Sequence, residues 1–118
     1  MKGKDLLSVT DLSSEEVHIL LADAEEMKID KWSSLLERKT LALVFEKPSL
    51  RTRVSFEVAM RQLGGYTIYL SPAEIGLGKR EPPRDVANVL SRYVDVIAAR
   101  TFSHETVSDL GKYADIPV

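Results

Sequence analysis

Residues 45–53, Phe-Glu-Lys-Pro-Ser-Leu-Arg-Thr-Arg, form the stretch that decides the fold. The apolar run 41–45 leads into it without polar alternation, which is typical of a parallel strand buried on both faces. Pro48 disfavours helical geometry at Lys47 and so closes that strand. Ser49 is a good helix N-cap, because its hydroxyl can accept a hydrogen bond from a backbone N–H of the first turn. The stretch therefore predicts a turn from a buried strand into a helix.

The helix after this turn is indicated by apolar residues at helical spacing. They stand at positions i, i+3, i+4 and i+7, and they are Phe56, Ala59, Met60 and Leu63. We expect them to share one face of the helix. The pair Gly64-Gly65 follows directly and marks the end of the helix.

The charges in the first turn of this helix oppose the helix dipole. A helix N-terminus carries partial positive charge and prefers acidic residues, whereas Arg51 and Arg53 lie there. Free backbone N–H groups, both guanidinium groups and the hydroxyls of Ser49 and Thr52 converge, so a bound anion such as phosphate would resolve the conflict. The alternative is that the arginines point to solvent or pair with carboxylates such as Glu57, four positions after Arg53.

Composition restricts the class of protein. A chain of 118 residues is long enough for one domain with a core, and a formal net charge of −2 provides no general basic field for nucleic acid. The absence of cysteine excludes disulfides and thiol chemistry. We find neither a signal peptide nor an apolar segment of membrane-spanning length, so we expect a cytoplasmic protein that does not bind membranes.

The remaining elements alternate between helices and strands. Ser13 and Glu16 form a capping box that starts the first helix. The apolar stripe of that helix is expected to belong to the core, and it comprises Val17, Leu20, Leu21, Ala24 and Met27. Segments 66–70 and 94–99 are predicted strands, and 116–118 begins a fourth. Further helices are predicted from Asp85, with Val86, Val89, Leu90 and Tyr93 on one face, and after Ser103. This order predicts a three-layer α/β fold with a parallel sheet and helices on both faces.

Two further segments concern a binding site. Arg100 follows the third predicted strand, and in open α/β sheets ligands bind outside the carboxyl ends of strands. Arg100 can therefore face one pocket with the turn 49–52, although a solvated loop residue is the alternative. The loop 71–83 is glycine-rich and basic but lacks the Walker spacing. On its own it is typical of a flexible surface loop, and long loops also serve as functional lids.

Several of these segments resemble the aspartate and ornithine carbamoyltransferases. Residues 49–53, Ser-Leu-Arg-Thr-Arg, are similar to the Ser-Thr-Arg-Thr-Arg signature of that family, and Leu-Gly-Gly follows at 63–65. Residues 85–95, 100–104 and 113–118 also match, so that the resemblance covers essentially the whole chain. Glu-Lys-Pro-Ser at 46–49 and the Gly-Lys-Arg-Glu-Pro loop look more like ornithine than aspartate carbamoyltransferases.

The resemblance implies a carbamoyl phosphate-binding domain with a defined set of residues. Ser49, Leu50 through its backbone N–H, Arg51 and Thr52 would hold the phosphate. Arg100 would reach the phosphate and the carbonyl oxygen, so that Arg51 and Arg100 are the catalytic candidates, while Arg53 would support the turn. The whole enzyme would carbamoylate the side-chain amine of ornithine to give citrulline and phosphate, as part of arginine metabolism. No metal or organic cofactor is implied. The family forms homotrimers or multiples of them, in which the loop 76–81 would reach a neighbouring subunit's site.

The chain departs from the family pattern at three places. Leu50 stands where threonine is usual, and Gly76 aligns with a glutamine that contacts phosphate in many members, for which Lys79 or Arg80 is the candidate substitute. The family's His-Pro-Cys-Gln segment and its amino-acid-binding domain are expected after Val118. Residues 1–118 are thus interpreted as a C-terminally incomplete carbamoyl phosphate-binding domain, inactive alone. The alternatives are carbamoyl transfer to aspartate or a modified ornithine, and a non-catalytic assembly module.

Overall fold

The computed structural model describes residues 3–118. Five helices, three strands and one short 3-10 turn succeed one another along these residues. We number the helices and strands α1 Ser14–Ile29, β1 Thr40–Phe45, α2 Leu50–Gln62, β2 Tyr66–Leu70, α3 Pro72–Ile75, α4 Pro83–Leu90, β3 Val96–Arg100 and α5 His104–Tyr113, and the 3-10 turn is Val9–Asp11. None of the helices in this part of the chain is long and apolar enough to cross a membrane.

The three strands form a parallel sheet in the order β2-β1-β3, which confirms the predicted α/β class. Strand β1 is central, and Leu43 pairs with Tyr69 on one side and with Ala98 on the other. Residues 41–45 are all buried, as expected for an apolar strand covered on both faces. The carboxyl ends of the three strands therefore lie at one edge of the sheet, which is where the turn 46–49 begins.

Helices cover both faces of the sheet. Alternate residues of β1 point to opposite faces, so each face has its own apolar cluster. Ala42 and Val44 pack in a cluster with residues of α4, β3 and α5, among them Val86, Ile97 and Leu110. Leu41, Leu43 and Phe45 pack on the other face with Met60 of α2. The core thus has two layers that share β1.

Helix α2 turns an unexpected face to the sheet. Of the four apolar residues predicted to share a face, only Met60 is buried, and Phe56 is 40% exposed. The half-buried residues of the face that includes Met60 are Arg53 and Glu57, at the preceding turns of the helix, and Leu63 after it. Charged side chains therefore take positions that the apolar pattern alone did not assign to the interface.

Helix α1 begins where the sequence predicts but does not join the core. Ser13 accepts a hydrogen bond from the backbone N–H of Glu16 at 3.1 Å, and the Glu16 carboxylate accepts one from the Ser13 N–H at 2.9 Å. No side chain of α1 within residues 14–29 is buried, and Leu20 and Leu21 are 39% and 62% exposed. The prediction that the apolar stripe of α1 belongs to the core was therefore wrong for this chain.

The segment 71–83 is more ordered than a surface loop. It contains the short helix α3, which ends at Gly76 with a left-handed φ of 52°. Ile75 and Leu77 on either side of Gly76 are buried in the core cluster around Val44. The prediction of a flexible surface loop was wrong here, since these two side chains anchor the segment to the sheet.

Three smaller predictions need adjustment. Helix α4 begins at Pro83 and buries Val86, whereas Val89 and Tyr93 are 54% and 80% exposed. Residues 116–118 do not form a strand within the described structure, although the Pro117 carbonyl accepts a hydrogen bond from the Ile97 N–H at 2.9 Å. The segment therefore lies beside β3, where a fourth strand was expected.

Asp95 ties β3 to the start of β1. Its carboxylate accepts hydrogen bonds from the Lys39 ammonium and the Thr40 backbone N–H, both at 2.9 Å. The Lys39 bond and then the Thr40 bond hold the pKa of Asp95 below its ordinary value of 3.8. A lowered pKa in the folded state means that the ionised carboxylate stabilises the fold above the unfolded-state pKa. This contribution is lost as pH falls through the folded-state pKa.

Asp95→Asn is therefore expected to lower the free energy of unfolding at pH 7 by about 1 kcal/mol, a modest loss because the side chain is partly exposed. As pH falls below 3.8 and through the lowered folded-state pKa of Asp95, the difference from wild type should shrink, since the wild-type carboxyl then loses its charge as well. Urea unfolding of the variant and of wild type, at pH 7 and in this acidic range, measures the difference in the free energy of unfolding. Asp23→Asn on the exposed surface of α1 is the control. A difference of the same size at both pH values would contradict the assignment.

Candidate functional site

The N-terminus of α2 presents free backbone donors. Ser49 is the N-cap with φ −155°, and its hydroxyl accepts a hydrogen bond from the Thr52 N–H at 3.4 Å. The N–H groups of Leu50 and Arg51 have no acceptor among residues 3–118. Unpaired donors at a helix N-terminus, with the positive end of the helix dipole behind them, suit an oxyanion.

Arg100 meets this turn from the neighbouring strand. It is the last residue of β3, not the first residue after it, and pairs in register with Phe45. Its carbonyl accepts a hydrogen bond from the Glu46 N–H at 2.8 Å. Its guanidinium Nη1 donates to the Thr52 hydroxyl at 3.4 Å. The structure thus brings Arg100 and the turn 49–52 together at the carboxyl edge of the sheet.

The two arginines of the first turn are in different environments. The Arg53 Nε donates to Glu57 Oε1 at 3.1 Å, and the Arg53 guanidinium carbon lies 3.7 Å from the centroid of the Tyr69 ring. Arg53 therefore pairs with a carboxylate, which was the alternative considered for both arginines. The Arg51 side chain is exposed and forms no hydrogen bond or ion pair within residues 3–118. Arg51 thus keeps all its donors for a ligand.

The chemistry of the site is that of anion binding. The first turn of α2 contains no acidic residue, the Arg100 guanidinium contacts its Thr52 hydroxyl, and Arg51 in the same turn is exposed. The nearby carboxylate of Glu46 accepts a hydrogen bond from the Phe102 N–H at 3.4 Å, and the Lys47 ammonium lies 4.8 Å from the Phe102 ring centroid. No cluster of metal-type ligands occurs within the described residues. The arrangement can hold an oxyanion and stabilise negative charge.

The two candidate loop residues, Gly76 and Lys79, line a cavity that does not include the turn 49–52. Gly76 and Lys79 line a cavity of about 120 Å³ together with Glu46 and Phe102, and none of residues 49–52 lines it. A wider cleft of about 660 Å³ lies at the other end of α2, near Arg61 and Gly65. Gly76 and Lys79 thus lie near Glu46 and Phe102, and no hydrogen bond within the described residues joins them to residues 49–52.

Sequence reasoning did not identify three residues around the turn. Glu46 and Phe102 link the ends of β1 and β3, and Tyr69 contacts Arg53. Glu46 and Phe102 belong to the segments 45–53 and 100–104, which the sequence analysis had assigned to the site. Their proximity to the site could therefore have been predicted. Tyr69 gave no such signal, because its contact with Arg53 depends on how α2 sits on the sheet.

Comparisons with known proteins agree on one family. Residues 4–118 match the family model described as aspartate/ornithine carbamoyltransferase, carbamoyl-P binding domain. The ornithine carbamoyltransferase of Bacillus subtilis is 54% identical over 116 residues, which are 98% of this chain and 36% of that protein. The Pyrococcus abyssi ornithine carbamoyltransferase is 51% identical over 122 residues, which cover 100% of this chain and 38% of that protein.

Solved structures show the same likeness. The ornithine carbamoyltransferase of Pyrococcus furiosus superposes with a TM-score of 0.94 at 50% identity, over 98% of this chain and 38% of that one. An acetylornithine transcarbamylase complexed with acetylcitrulline has a TM-score of 0.87 at 37% identity, over 98% of this chain and 41% of its own. The chain thus spans little more than a third of the length of the relatives it matches.

Proposed function

Because the chain belongs to the aspartate/ornithine carbamoyltransferase family, as its carbamoyl phosphate-binding domain, we propose that it is this part of an ornithine carbamoyltransferase. The whole enzyme transfers the carbamoyl group of carbamoyl phosphate to the side-chain amine of ornithine. The observation that carries the proposal is the anion site, in which two free N–H groups lie beside a Thr52 hydroxyl that Arg100 contacts.

Each residue of the turn has a role in this proposal. The N–H groups of Leu50 and Arg51 and the hydroxyls of Ser49 and Thr52 bind phosphate oxygens, and the Arg51 guanidinium neutralises their charge. The Leu50 contact uses only the backbone, so the side chain at this position does not need a hydroxyl. Arg100 binds a phosphate oxygen and the carbonyl oxygen of the same substrate.

These residues act by positioning the substrate and by stabilising charge. The neutral amine of ornithine attacks the carbonyl carbon to form the new C–N bond, and one proton passes from the nitrogen to the departing phosphate. Negative charge builds on the carbonyl oxygen until the C–O bond to phosphate breaks and phosphate departs. The positive charges of Arg51 and Arg100 stabilise the negative charge that develops on the phosphate and the carbonyl oxygen. This stabilisation lowers the activation barrier of the transfer.

Ornithine is the proposed acceptor because ornithine carbamoyltransferases are up to 54% identical to this chain. The acetylornithine transcarbamylase is 37% identical. A role in arginine biosynthesis is supported by the anabolic ornithine carbamoyltransferase of Pyrococcus furiosus, which is 50% identical.

We further propose that the whole enzyme is a cytoplasmic homotrimer, as the resemblance to the family implies. Gly76 and Lys79 would then contact the substrate of a neighbouring copy.

Calorimetric titration with carbamoyl phosphate tests the proposal on the 118-residue chain. We expect saturable binding of carbamoyl phosphate and of inorganic phosphate, because the donors of the site face the phosphate group. Urea, which resembles the carbamoyl part alone, should give no heat. Absence of heat with both anions at millimolar concentration would overturn the proposal and favour a non-catalytic assembly module.

The same chain is expected to produce no citrulline from carbamoyl phosphate and ornithine, since the matched domain supplies only the phosphate-binding half of the site. A colorimetric citrulline assay at enzyme concentrations in the micromolar range measures this. The full-length protein is the positive control. Citrulline formation by residues 1–118 alone would contradict the division of roles between the two domains.

A further inference from the structure

Two of the contacts between helix α2 and the sheet differ in kind. Met60, near its C-terminal end, is the one buried residue among those of the helix and packs with Leu43 and Phe45. Near the N-terminal end the contact is made by Arg53, whose guanidinium carbon lies 3.7 Å from the centroid of the Tyr69 ring. The end of α2 that carries the anion site thus contacts β2 through a cation–π contact, in addition to the hydrogen bond between Arg100 of β3 and Thr52.

The Tyr69 ring is itself fixed to the core. Its centroid lies 5.5 Å from that of Phe45, and the two rings meet edge to face at 87°. Tyr69 pairs with Leu43 in the sheet register and packs against the cluster that contains Met60. The Glu57 carboxylate also holds the Arg53 guanidinium, since its Oε1 accepts a hydrogen bond from Nε at 3.1 Å.

We infer that Tyr69 is a positioning residue for the anion site, acting through Arg53; the identity of the anion rests on the proposed function. Arg53 directly follows Thr52, and its backbone N–H donates to the Ser49 carbonyl at 3.4 Å. A rotation of α2 about its axis would move the Thr52 hydroxyl away from Arg100. The contact between Arg53 and Tyr69 opposes this rotation and keeps the free N–H groups aimed at the ligand.

The contacts of Arg53 separate this role from direct binding. To reach an anion at the N-terminus of α2, the guanidinium would have to leave both the Tyr69 ring and the Glu57 carboxylate. A planar guanidinium on an aromatic ring, paired on its edge with a carboxylate, is already satisfied. Arg51 has neither contact, so the geometry leaves ligand binding to Arg51.

Three variants of the 118-residue chain test the inference, with inorganic phosphate as the probe. Tyr69→Leu removes the aromatic face and is expected to weaken phosphate binding about tenfold, whereas Tyr69→Phe keeps the face and should stay close to wild type. Ile97→Val, in the cluster on the opposite face of the sheet, lowers the melting temperature without touching this contact. It should leave the phosphate affinity unchanged. NMR shifts of the amides of residues 50–52 report the affinity.

Two results would overturn the inference. One is an unchanged affinity in Tyr69→Leu, and the other is a loss in Tyr69→Phe as large as that in Tyr69→Leu. Hydrogen exchange without ligand provides an independent readout, because the Thr52 and Arg53 amides should exchange faster in Tyr69→Leu only. If wild type bound no phosphate, the proposed function would fail, and hydrogen exchange would still decide whether Tyr69 positions the turn.

Discussion

Arg51→Ala is expected to weaken carbamoyl phosphate binding by about two to three orders of magnitude, the largest effect of any single change in this chain. The Arg51 guanidinium is exposed and has no partner within the described residues, so its donors are available to the ligand. Charge-assisted hydrogen bonds to phosphate contribute about 1.5–3 kcal/mol each, and a guanidinium can form two of them. Calorimetric titration measures the change in affinity.

A matched variant distinguishes a specific contact from a general loss of positive charge. Arg61 lies on the same helix, is exposed, and is located near its C-terminal end. Arg61→Ala removes the same charge far from the site and should change the affinity less than twofold. Similar losses in both variants would mean that α2 attracts the anion only through its overall charge. Arg51→Lys should fall between wild type and alanine, because lysine keeps the charge but cannot bind in a bidentate way.

The sequence predicted the sheet and the turn because their signals are local. A run of five apolar residues at 41–45 requires cover on both faces, and the structure buries all of them. Pro48 and Ser49 specify the end of the strand and the start of the helix through backbone geometry and one hydrogen bond. Such signals do not depend on the rest of the fold.

Predictions about which residues pack against others were less successful, because they depend on partners that the pattern does not name. The stripe of α1 that includes Leu20 and Leu21 has the spacing of a core face but is exposed in this chain. In α2 the sheet presents the face of Tyr69, which a guanidinium can cover, so Arg53 lies inward while Phe56 stays 40% exposed. Periodicity identifies an apolar face but not what covers it.

The anion site illustrates the same distinction. Sequence reasoning identified both arginines of the first turn and left open whether they bind an anion or pair with carboxylates. The structure assigns Arg53 to Glu57 and Tyr69, and it leaves Arg51 free. Residue chemistry alone did not separate two arginines that lie two positions apart, although the family resemblance implied that Arg51 holds the phosphate and Arg53 supports the turn.

Arg100→Ala is expected to weaken carbamoyl phosphate binding by about two orders of magnitude, and to lower kcat/KM of the proposed whole enzyme by at least as much. The Arg100 guanidinium lies 3.4 Å from the hydroxyl of Thr52, which is in the first turn of α2 together with the free N–H groups. It is proposed to contact the carbonyl oxygen, where charge develops only during the reaction. Steady-state kinetics should therefore show a fall in kcat in addition to a rise in KM for carbamoyl phosphate.

The double variant Arg51→Ala/Arg100→Ala tests whether the two arginines bind one anion. Mutations at independent sites add in free energy, whereas residues that share a ligand are coupled. With Arg51 gone, the anion loses the orientation that lets Arg100 contact it, so the second loss should be smaller than in wild type. The combined loss should therefore fall short of the sum by about 1 kcal/mol or more. Full additivity would mean that the two arginines contribute independently, and would contradict the coupling through one shared anion.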